Sequence, residues 1–348
     1  MNLLGIDIGG TKIAGGLVDM DAGRVLLRSR VPTEAEDGGP VVLRRALDLA
    51  RSLVSQAREQ GLGEPLAVGV GAGGQIDPVQ GVVVSATDVL PGWAGTPLRQ
   101  AFEDGLNLPT SVDNDVNALA VGEQRFGAGR GHNDLLYLAL GTGVGGAIIS
   151  GGRLHHGARG AGGELGHLVL FPDGLPCTCG GRGCLEQYAN GAAYARYRQE
   201  EGDDEARAAY RLGEMLGLGL VSLTNLFDPD RIIIGGGLAD LGESLLEPAR
   251  RVLRERALPG GRDCPVLPAA LAPDASVIGA ATLGCPHPLP LSPASGCAGG
   301  RGVPAAGSTA AAPKVSPSSA PSRGGAVDGV SGTPLPPAEP EAGERGRG

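Results

Sequence analysis

One histidine and three cysteines lie close together near the middle of the chain and could bind a single metal ion. They are His167, Cys177, Cys179 and Cys184, and Glu186 follows the last cysteine by two residues. An imidazole and three thiolates complete the tetrahedral ligand set of a structural Zn²⁺. A disulfide pair or a set of buried free thiols is the alternative. Because no apolar stretch follows the first residues, we expect no secretory signal and a reducing cytoplasm, where clustered cysteines more often bind metal.

Glycines follow three apolar runs that are typical of buried strands, and there the backbone can approach a ligand closely. The first bend also offers a carboxylate, a hydroxyl and an ammonium group, which suit a phosphate with its Mg²⁺. An ordinary glycine hairpin is the alternative, because short glycine motifs are weak signals. The repeated order of strand, bend and strand indicates two related lobes that face each other across a nucleotide. The residues are Asp7, Gly9, Gly10, Thr11 and Lys12 at the first bend, Gly141, Thr142, Gly143 and Gly145 at the second, and Gly235, Gly236 and Gly237 at the third.

Acidic and amide residues stand together where a short strand after Pro109 passes into a helix. The run is Asp113, Asn114 and Asp115. One of them can cap the helix, but three in succession exceed what a cap needs. A carboxylate at this place could orient a substrate hydroxyl and take its proton, so the motif leaves both roles open. The loop at Gly73, after another strand, is equally open to ligand contact or to a simple turn.

The elements that must position these residues follow an α/β pattern. Apolar residues recur about every 3.6 positions over 41–60, which predicts an amphipathic helix. Further helices are predicted over 210–227 and 244–256. The predicted strands, with the glycine turns that end some of them, cover 3–12, 13–19, 66–77, 82–84, 135–140, 147–149 and 231–234.

Composition limits the classes of function. The 348 residues, of which 41% are hydrophobic, suffice for two ordinary domains. A net charge of -9 and an aromatic content of 3% argue against a nucleic-acid surface. The segment 285–348 is rich in Pro, Gly, Ala and Ser without any period, which predicts a disordered tail. No apolar run is long enough to span a membrane, so we expect no membrane partner.

Together these motifs resemble the ROK sugar kinases of the actin-like ATPase superfamily, from about residue 3 to Gly284. Besides the glycine bends, the segment 162–167 and the cysteine segment ending at Glu186 are similar to the two signature segments of that family. The resemblance implies an α/β fold of two ribonuclease-H-like lobes with a cleft between them. The small lobe would comprise 1–117 and a returning helix at 275–284, and the large lobe 118–274 with the zinc site.

The resemblance also implies an ATP-dependent kinase that phosphorylates the 6-hydroxyl of glucose, with Asp115 as the base. ATP and Mg²⁺ would bind at the glycine bends, and a structural Zn²⁺ at the cysteines. Kinases for N-acetylglucosamine, N-acetylmannosamine or another hexose, and a non-catalytic sugar-responsive regulator, are the alternatives. Because the first bend begins at residue 7, we expect no DNA-binding domain before it. A homodimer or homotetramer is also expected. The sugar contacts would come from Gly73, Asn114, Asp115, Glu164, His167 and Glu186.

Overall fold

Two five-stranded sheets dominate the structure, a computed structural model that describes residues 1–86 and 90–285. Of the predicted tail at 285–348, only Cys285 therefore falls within the described residues. The strands are β1 (Asn2–Ile8), β2 (Lys12–Asp19), β3 (Arg24–Pro32), β4 (Val68–Ala72), β5 (Gln75–Asp77), β6 (Val82–Ser85), β7 (Thr110–Asn114), β8 (Leu135–Leu140), β9 (Val144–Ser150), β10 (Arg153–Leu154), β11 (Arg231–Gly235) and β12 (Val266–Pro268). The helices are α1 (Gly39–Glu59), α2 (Leu98–Leu106), α3 (Asp115–Phe126), α4 (Glu186–Ala189), α5 (Gly191–Glu200), α6 (Glu205–Phe227), α7 (Glu243–Arg256) and α8 (Ala275–Leu283).

Both sheets have the same topology. The first has the order β3-β2-β1-β4-β7 and the second the order β10-β9-β8-β11-β12. In each sheet the first three strands pair antiparallel and the last two join in parallel. Strands β5 and β6 form a separate hairpin. The predicted α/β fold class is thus confirmed. The repeat seen in the glycine bends corresponds to two sheets with the same topology.

The first sheet is covered on both faces because its strands are apolar on both sides. Side chains of β1 alternate across the sheet: Leu4 and Ile6 join a core with α1 and α2, whereas Leu3 joins a core with Val277 of α8. Helix α1 begins two residues earlier than the sequence predicts and presents its apolar stripe, including Leu53, to this core.

The second sheet is buried in the same way. Leu136 and Leu138 of β8 pack with residues of α6 and α7, whereas Leu135 and Tyr137 face Ala120 of α3. Helix α6 extends the predicted 210–227 by five residues at its start, where the side chain of Asp204 caps it.

Helices α3 and α8 complete the arrangement around the first sheet. Helix α8 packs on β1 and β4 at glycines: a Cβ on Gly69 would lie 1.8 Å from the carbonyl oxygen of Ala280. Helix α3 contacts α8 and β4 on one side and β8 and β9 on the other. The predicted lobe boundary at residue 117 falls inside α3, and it stays a prediction. In the described ranges no helix is both long and apolar enough to cross a membrane.

Candidate active site

Three chain segments that carry predicted site residues meet at one edge of the first sheet. Strands β1, β4 and β7 run parallel, with Ile8 opposite Ala72 and Ala72 opposite Asn114. Asp7, the loop at Gly73 and Asp115 therefore lie at the carboxyl ends of neighbouring strands, where open α/β sheets usually bind their ligands.

The polar residues at the start of α3 have different roles. Asn114 is the cap, because its side-chain oxygen accepts hydrogen bonds from the amides of Val116 (2.9 Å) and Asn117 (3.3 Å). Its amide nitrogen donates to the carbonyl oxygen of Gly74 at 3.0 Å. Asp115 needs no capping role, although one oxygen accepts from the Val116 amide at 2.9 Å. Its carboxylate is therefore left for other chemistry.

Burial raises the pKa of the Asp115 carboxyl above its ordinary value, although hydrogen bonds from the Val116 and Asp115 amides and from Asn114 oppose the change. The pKa of Asp7 is raised to about 6, first by burial and then by the charge of Asp115. Carboxyl groups whose pKa is raised above the ordinary value are typical of proton acceptors and of metal-binding positions.

Two adjoining cavities open beside Asp115. The first, of about 200 Å³, is lined by Gly74, Asn114, Asp115 and Glu164, among others. The second, of about 340 Å³, is lined by His167 and Glu186 together with the second and third glycine bends. Both cavities share Val116, Gly145 and Glu164 as lining residues. The structure thus places a carboxylate-rich chamber next to a glycine-lined one.

The second and third glycine bends line the second cavity. Glu186 accepts a hydrogen bond from the Val144 amide at 3.0 Å, and a Cβ on Gly143 would lie 2.6 Å from the same carboxylate oxygen. Gly236 has a φ of 82° and approaches the Leu140 carbonyl so closely that a Cβ would lie 2.3 Å from its oxygen. The lining glycines are Gly141, Gly143, Gly145 and Gly236, whereas Thr142, Gly235 and Gly237 flank them.

The first glycine bend is a tight hairpin between β1 and β2. The amide of Gly9 donates to the carbonyl oxygen of Lys12 at 3.1 Å, and the positions between them, Gly10 and Thr11, are exposed. The charge of Lys12 lowers the pKa of Asp7, against the larger opposing effect of burial. This bend and Gly73 do not line the two cavities described above.

The predicted metal ligands converge. The ligand atoms of His167, Cys177, Cys179 and Cys184 all lie within 4.8 Å of one another. Cys179 Sγ and Cys184 Sγ are 3.7 Å apart, and His167 Nδ1 lies 3.6 Å from Cys177 Sγ. A tetrahedral Zn²⁺ site with ordinary bond lengths needs about 3.8 Å between sulfurs and about 3.5 Å between nitrogen and sulfur. The donor set and its spacing therefore fit this ion.

The loop geometry explains why the thiols meet. The amide of Cys177 donates to the carbonyl oxygen of Gly181 at 2.9 Å, which folds the cysteine segment into a tight turn. Gly183 has a φ of 71°, and a Cβ there would lie 1.6 Å from the Phe171 carbonyl oxygen, so only glycine fits. His167 joins this cluster to the cavity, because its Nε2 lies 4.0 Å from a carboxylate oxygen of Glu164.

The structure also brings together residues that the sequence did not single out. His156 Nε2 lies 2.6 Å from Asp113 Oδ2, and Gln75 donates to the carbonyl oxygen of Arg159 at 3.1 Å. The indole nitrogen of Trp93 donates to the carbonyl oxygen of Gly73 at 3.1 Å. The only signal for these contacts in the sequence was a histidine next to a glycine-rich segment. Nothing else could have indicated them, because the residues in each contact are distant in sequence.

Two sheets of one topology, with acidic and glycine-rich segments at their edges, define an α/β protein of the actin-like ATPase fold. Comparison with known proteins narrows this class: the chain belongs to the ROK family, whose pattern matches residues 3–285. A glucokinase from Streptomyces coelicolor is 38% identical over 317 residues, which span 80% of this chain and 96% of that one.

Two solved structures resemble the described fold closely. The ROK hexokinase from Thermus thermophilus is 36% identical with a TM-score of 0.69, covering 82% of this chain and 98% of that one. A ROK family glucokinase from Streptomyces griseus, in complex with glucose and AMPPNP, is 36% identical with a TM-score of 0.68, covering 82% and 99%.

Proposed function

We propose that this chain is an ATP-dependent glucokinase that transfers the terminal phosphoryl group of ATP to the 6-hydroxyl of glucose. One observation carries the proposal: Asp115 presents a half-buried carboxylate to a polar cavity, and this cavity adjoins a glycine-lined one. The carboxylate is free for this role because Asn114 caps the helix. Both the similar Streptomyces coelicolor protein and the Streptomyces griseus structure bear the name glucokinase, and the latter holds glucose and AMPPNP.

Asp115 would act as the general base. Its carboxylate accepts the proton of the 6-hydroxyl as that oxygen bonds to the phosphorus, while the bond from phosphorus to the bridging oxygen breaks and ADP leaves. In phosphoryl transfer the protein mainly positions the reactants and neutralises charge. The raised pKa of Asp115 makes it a stronger proton acceptor than an exposed carboxylate.

The glycine bends would hold the nucleotide. Amides of Gly9, Gly10, Thr11, Lys12, Gly141, Thr142, Gly143 and Gly145 would face the phosphates, and Gly235, Gly236 and Gly237 the adenosine side. Asp7 would hold Mg²⁺ through water, and the ion supplies neutralisation of phosphate charge when bound. The ammonium group of Lys12, whose charge lowers the pKa of Asp7, would add a second positive charge at this edge.

The sugar would be held by charged and amide groups from both sheets. Asn114 and Asp115 would contribute from the end of β7 and the start of α3. Glu164, His167 and Glu186 would contribute from the segment between β10 and β11, and the Gly73 loop would also contact the sugar. Hydrogen bonds to ionised groups are about twice as strong as neutral ones, so a small set can select one pattern of hydroxyls.

Zn²⁺ would have a structural role at the cysteine cluster. Four protein ligands leave no open position for a water, so the ion would fix the loop rather than activate a nucleophile. His167 would serve both sites, with Nδ1 towards the thiols and Nε2 towards Glu164.

A homodimer or homotetramer and a cytoplasmic location stay predictions. The free thiols of the cluster favour a reducing compartment.

A panel of hexoses and N-acetylhexosamines, assayed with ATP and Mg²⁺ by coupled detection of ADP, tests the substrate. Glucose is expected to give the highest kcat/KM. Asp115→Asn should lower kcat by about two to four decades, the range for a lost proton acceptor. Asp48→Asn, on the exposed face of α1, is the matched control and should keep the activity of the unmodified chain. Preference for an N-acetylhexosamine would contradict glucose as the substrate. An Asp115→Asn variant of normal kcat would contradict Asp115 as the base.

A further inference from the structure

A single histidine joins the two sides of the carboxylate-rich cavity. His156 follows β10 of the second sheet, and its Nε2 lies 2.6 Å from Asp113 Oδ2, on β7 of the first sheet. Asp113 is buried, with 5% of its surface exposed, and His156 is about one third exposed. A buried carboxylate oxygen without a partner is costly, so the contact of His156 with Oδ2 is favoured in the folded chain.

The loop that begins at His156 is closed on itself and leads directly to Glu164. The amide of Gly162 donates to the carbonyl oxygen of His156 at 2.8 Å, and a Cβ on Gly162 would lie 2.7 Å from the His155 carbonyl oxygen. Gln75 of β5 holds the middle of the loop through the Arg159 carbonyl oxygen at 3.1 Å. The segment 156–163 is therefore closed by its own hydrogen bond, and it is tied to β7 through His156 and to β5 through the Arg159 carbonyl oxygen.

The other oxygen of Asp113 serves the catalytic turn. Asp113 Oδ1 accepts hydrogen bonds from the Asn114 amide at 2.7 Å and from the Asn117 side chain at 2.8 Å. We propose that His156 is a positioning residue for the sugar: by binding Asp113, it holds the loop that carries Glu164 at a fixed distance from the turn of Asn114 and Asp115. This role rests on the proposed glucokinase activity.

The electrostatics of the cavity make this contact dependent on pH. Of the described residues that line the cavity, His156 alone can carry a positive charge, and the acids there are Asp113 of β7, Asp115 of α3 and Glu164 of the following segment. The neighbouring His155 and Arg159 are exposed. The hydrogen bond with Asp113 raises the pKa of His156 above its ordinary value, against the opposing effect of burial.

The sign of the pH effect follows from that direction. The pair is charge-assisted while His156 is protonated, and this state persists to a pH above the ordinary histidine value of about 6.5. As the pH rises through the pKa of His156, the charge assistance is lost and the loop is held less firmly. The KM for glucose should therefore rise over this range, whereas the KM for ATP should not follow it.

The test is the separation of KM from kcat in variants of His156. In His156→Ala, Asp113 keeps its bonds to Asn114 and Asn117, so the base stays in place and kcat should change by less than about threefold. The KM for glucose should rise about ten- to a hundredfold, as expected for a lost hydrogen bond to a charged group. His156→Gln can still donate to Asp113 but cannot titrate, so its KM should be intermediate and independent of pH between about 6 and 9.

The matched control is His155→Gln, because His155 is the adjacent, exposed histidine. It should retain the KM of the unmodified chain and its dependence on pH. A His156→Ala variant whose KM lies within about twofold of the original would overturn the proposal, as would a His156→Gln variant that keeps the original pH profile. Equal changes in the KM for ATP and in kcat would indicate a general loss of structure, and would also overturn it.

Failure of the proposed function gives a different result. Glucose binding is measured by calorimetry without ATP, and turnover is measured on the hexose that the unmodified chain phosphorylates most efficiently. If that hexose is not glucose, the substrate assignment fails, while the ratio between variant and unmodified chain still tests His156. A chain that neither binds nor phosphorylates any hexose contradicts both.

Discussion

Burial, and then the negative charge of Asp115, raise the pKa of the Asp7 carboxyl to about 6, because the two carboxylates share one edge of the first sheet. Hydrogen bonding to Ser276 and the charge of Lys12 lower it only in part. The folded chain therefore holds, at one edge of this sheet, two carboxyl groups whose ionised forms are disfavoured by burial. Such an arrangement lowers the stability of the folded chain, and it is typical of a site that binds a cation.

Asp7→Asn should stabilise the ligand-free protein while it abolishes turnover. The raised pKa means that the folded chain binds more protons than the unfolded chain between pH 3.8 and about 6, so stability falls as the pH rises through this window. From 3.8 to about 6, at 1.36 kcal/mol per pH unit, the cost is about 3 kcal/mol. We expect the free energy of unfolding of Asp7→Asn to exceed that of the unmodified chain at pH 7.5 and the difference to vanish below pH 4.

Thermal and urea unfolding across this pH range, without Mg²⁺ or nucleotide, measure the difference. Asp48→Asn serves as the control, because its carboxylate is exposed and its ion pair with Arg51 contributes little. Equal stability of Asp7→Asn and the unmodified chain at pH 7.5 would show that the carboxylate carries no such cost. If Asp7→Asn is more stable and still active, Asp7 is not part of the proposed Mg²⁺ site.

Cys184→Ser should release the metal. Purified protein is expected to contain about one Zn²⁺ per chain by elemental analysis, since four ligands converge on one point. Loss of a thiolate ligand should lower this content and raise the KM for glucose, because the loop with His167 is no longer fixed. Cys264→Ser, which lies outside the cluster, is the control and should retain the ion. Normal zinc content in Cys184→Ser, or normal glucose binding by metal-free protein, would contradict the structural role.

The sequence predicted what depends on local patterns. The apolar period of α1 and the strands around the glycine bends were predicted because each requires only neighbouring residues. The cluster of His167, Cys177, Cys179 and Cys184 was predicted because all four residues lie within one short segment. Strand β3 was missed, since its side chains are mostly half-buried or exposed and arginines interrupt its apolar residues. It is an edge strand, and its pairing with β2 rather than its composition defines it.

The arrangement of the cavity depends on contacts that no local pattern contains. His156 and Asp113 are 43 residues apart, and Glu123 of α3 binds the amides of Ala270 and Leu271 across almost half the chain. The sequence indicated that three polar residues at the start of α3 were too many for a cap. Only the structure shows that Asn114 is the cap and that Asp113 has a partner in the loop after β10.

Trp93 should report sugar binding through its fluorescence. It is the only tryptophan of the chain, it is buried, and its indole nitrogen donates to the Gly73 carbonyl oxygen at 3.1 Å. If the Gly73 loop contacts the sugar, glucose should change the intensity or the wavelength of the Trp93 emission, saturating at the affinity that calorimetry gives. Sorbitol at the same concentration should leave the emission unchanged, and so should glucose added to Trp93→Phe.

Trp93→Phe also tests the hydrogen bond itself. Phenylalanine fills most of the same space but cannot donate, so the Gly73 carbonyl loses its partner at a cost of about 1–3 kcal/mol. We expect a lower melting temperature and a higher KM for glucose, with kcat less affected, because Asn114 still holds the adjacent Gly74 carbonyl. Glucose binding that leaves the Trp93 emission unchanged, together with an unaltered KM in Trp93→Phe, would place the Gly73 loop outside the sugar site.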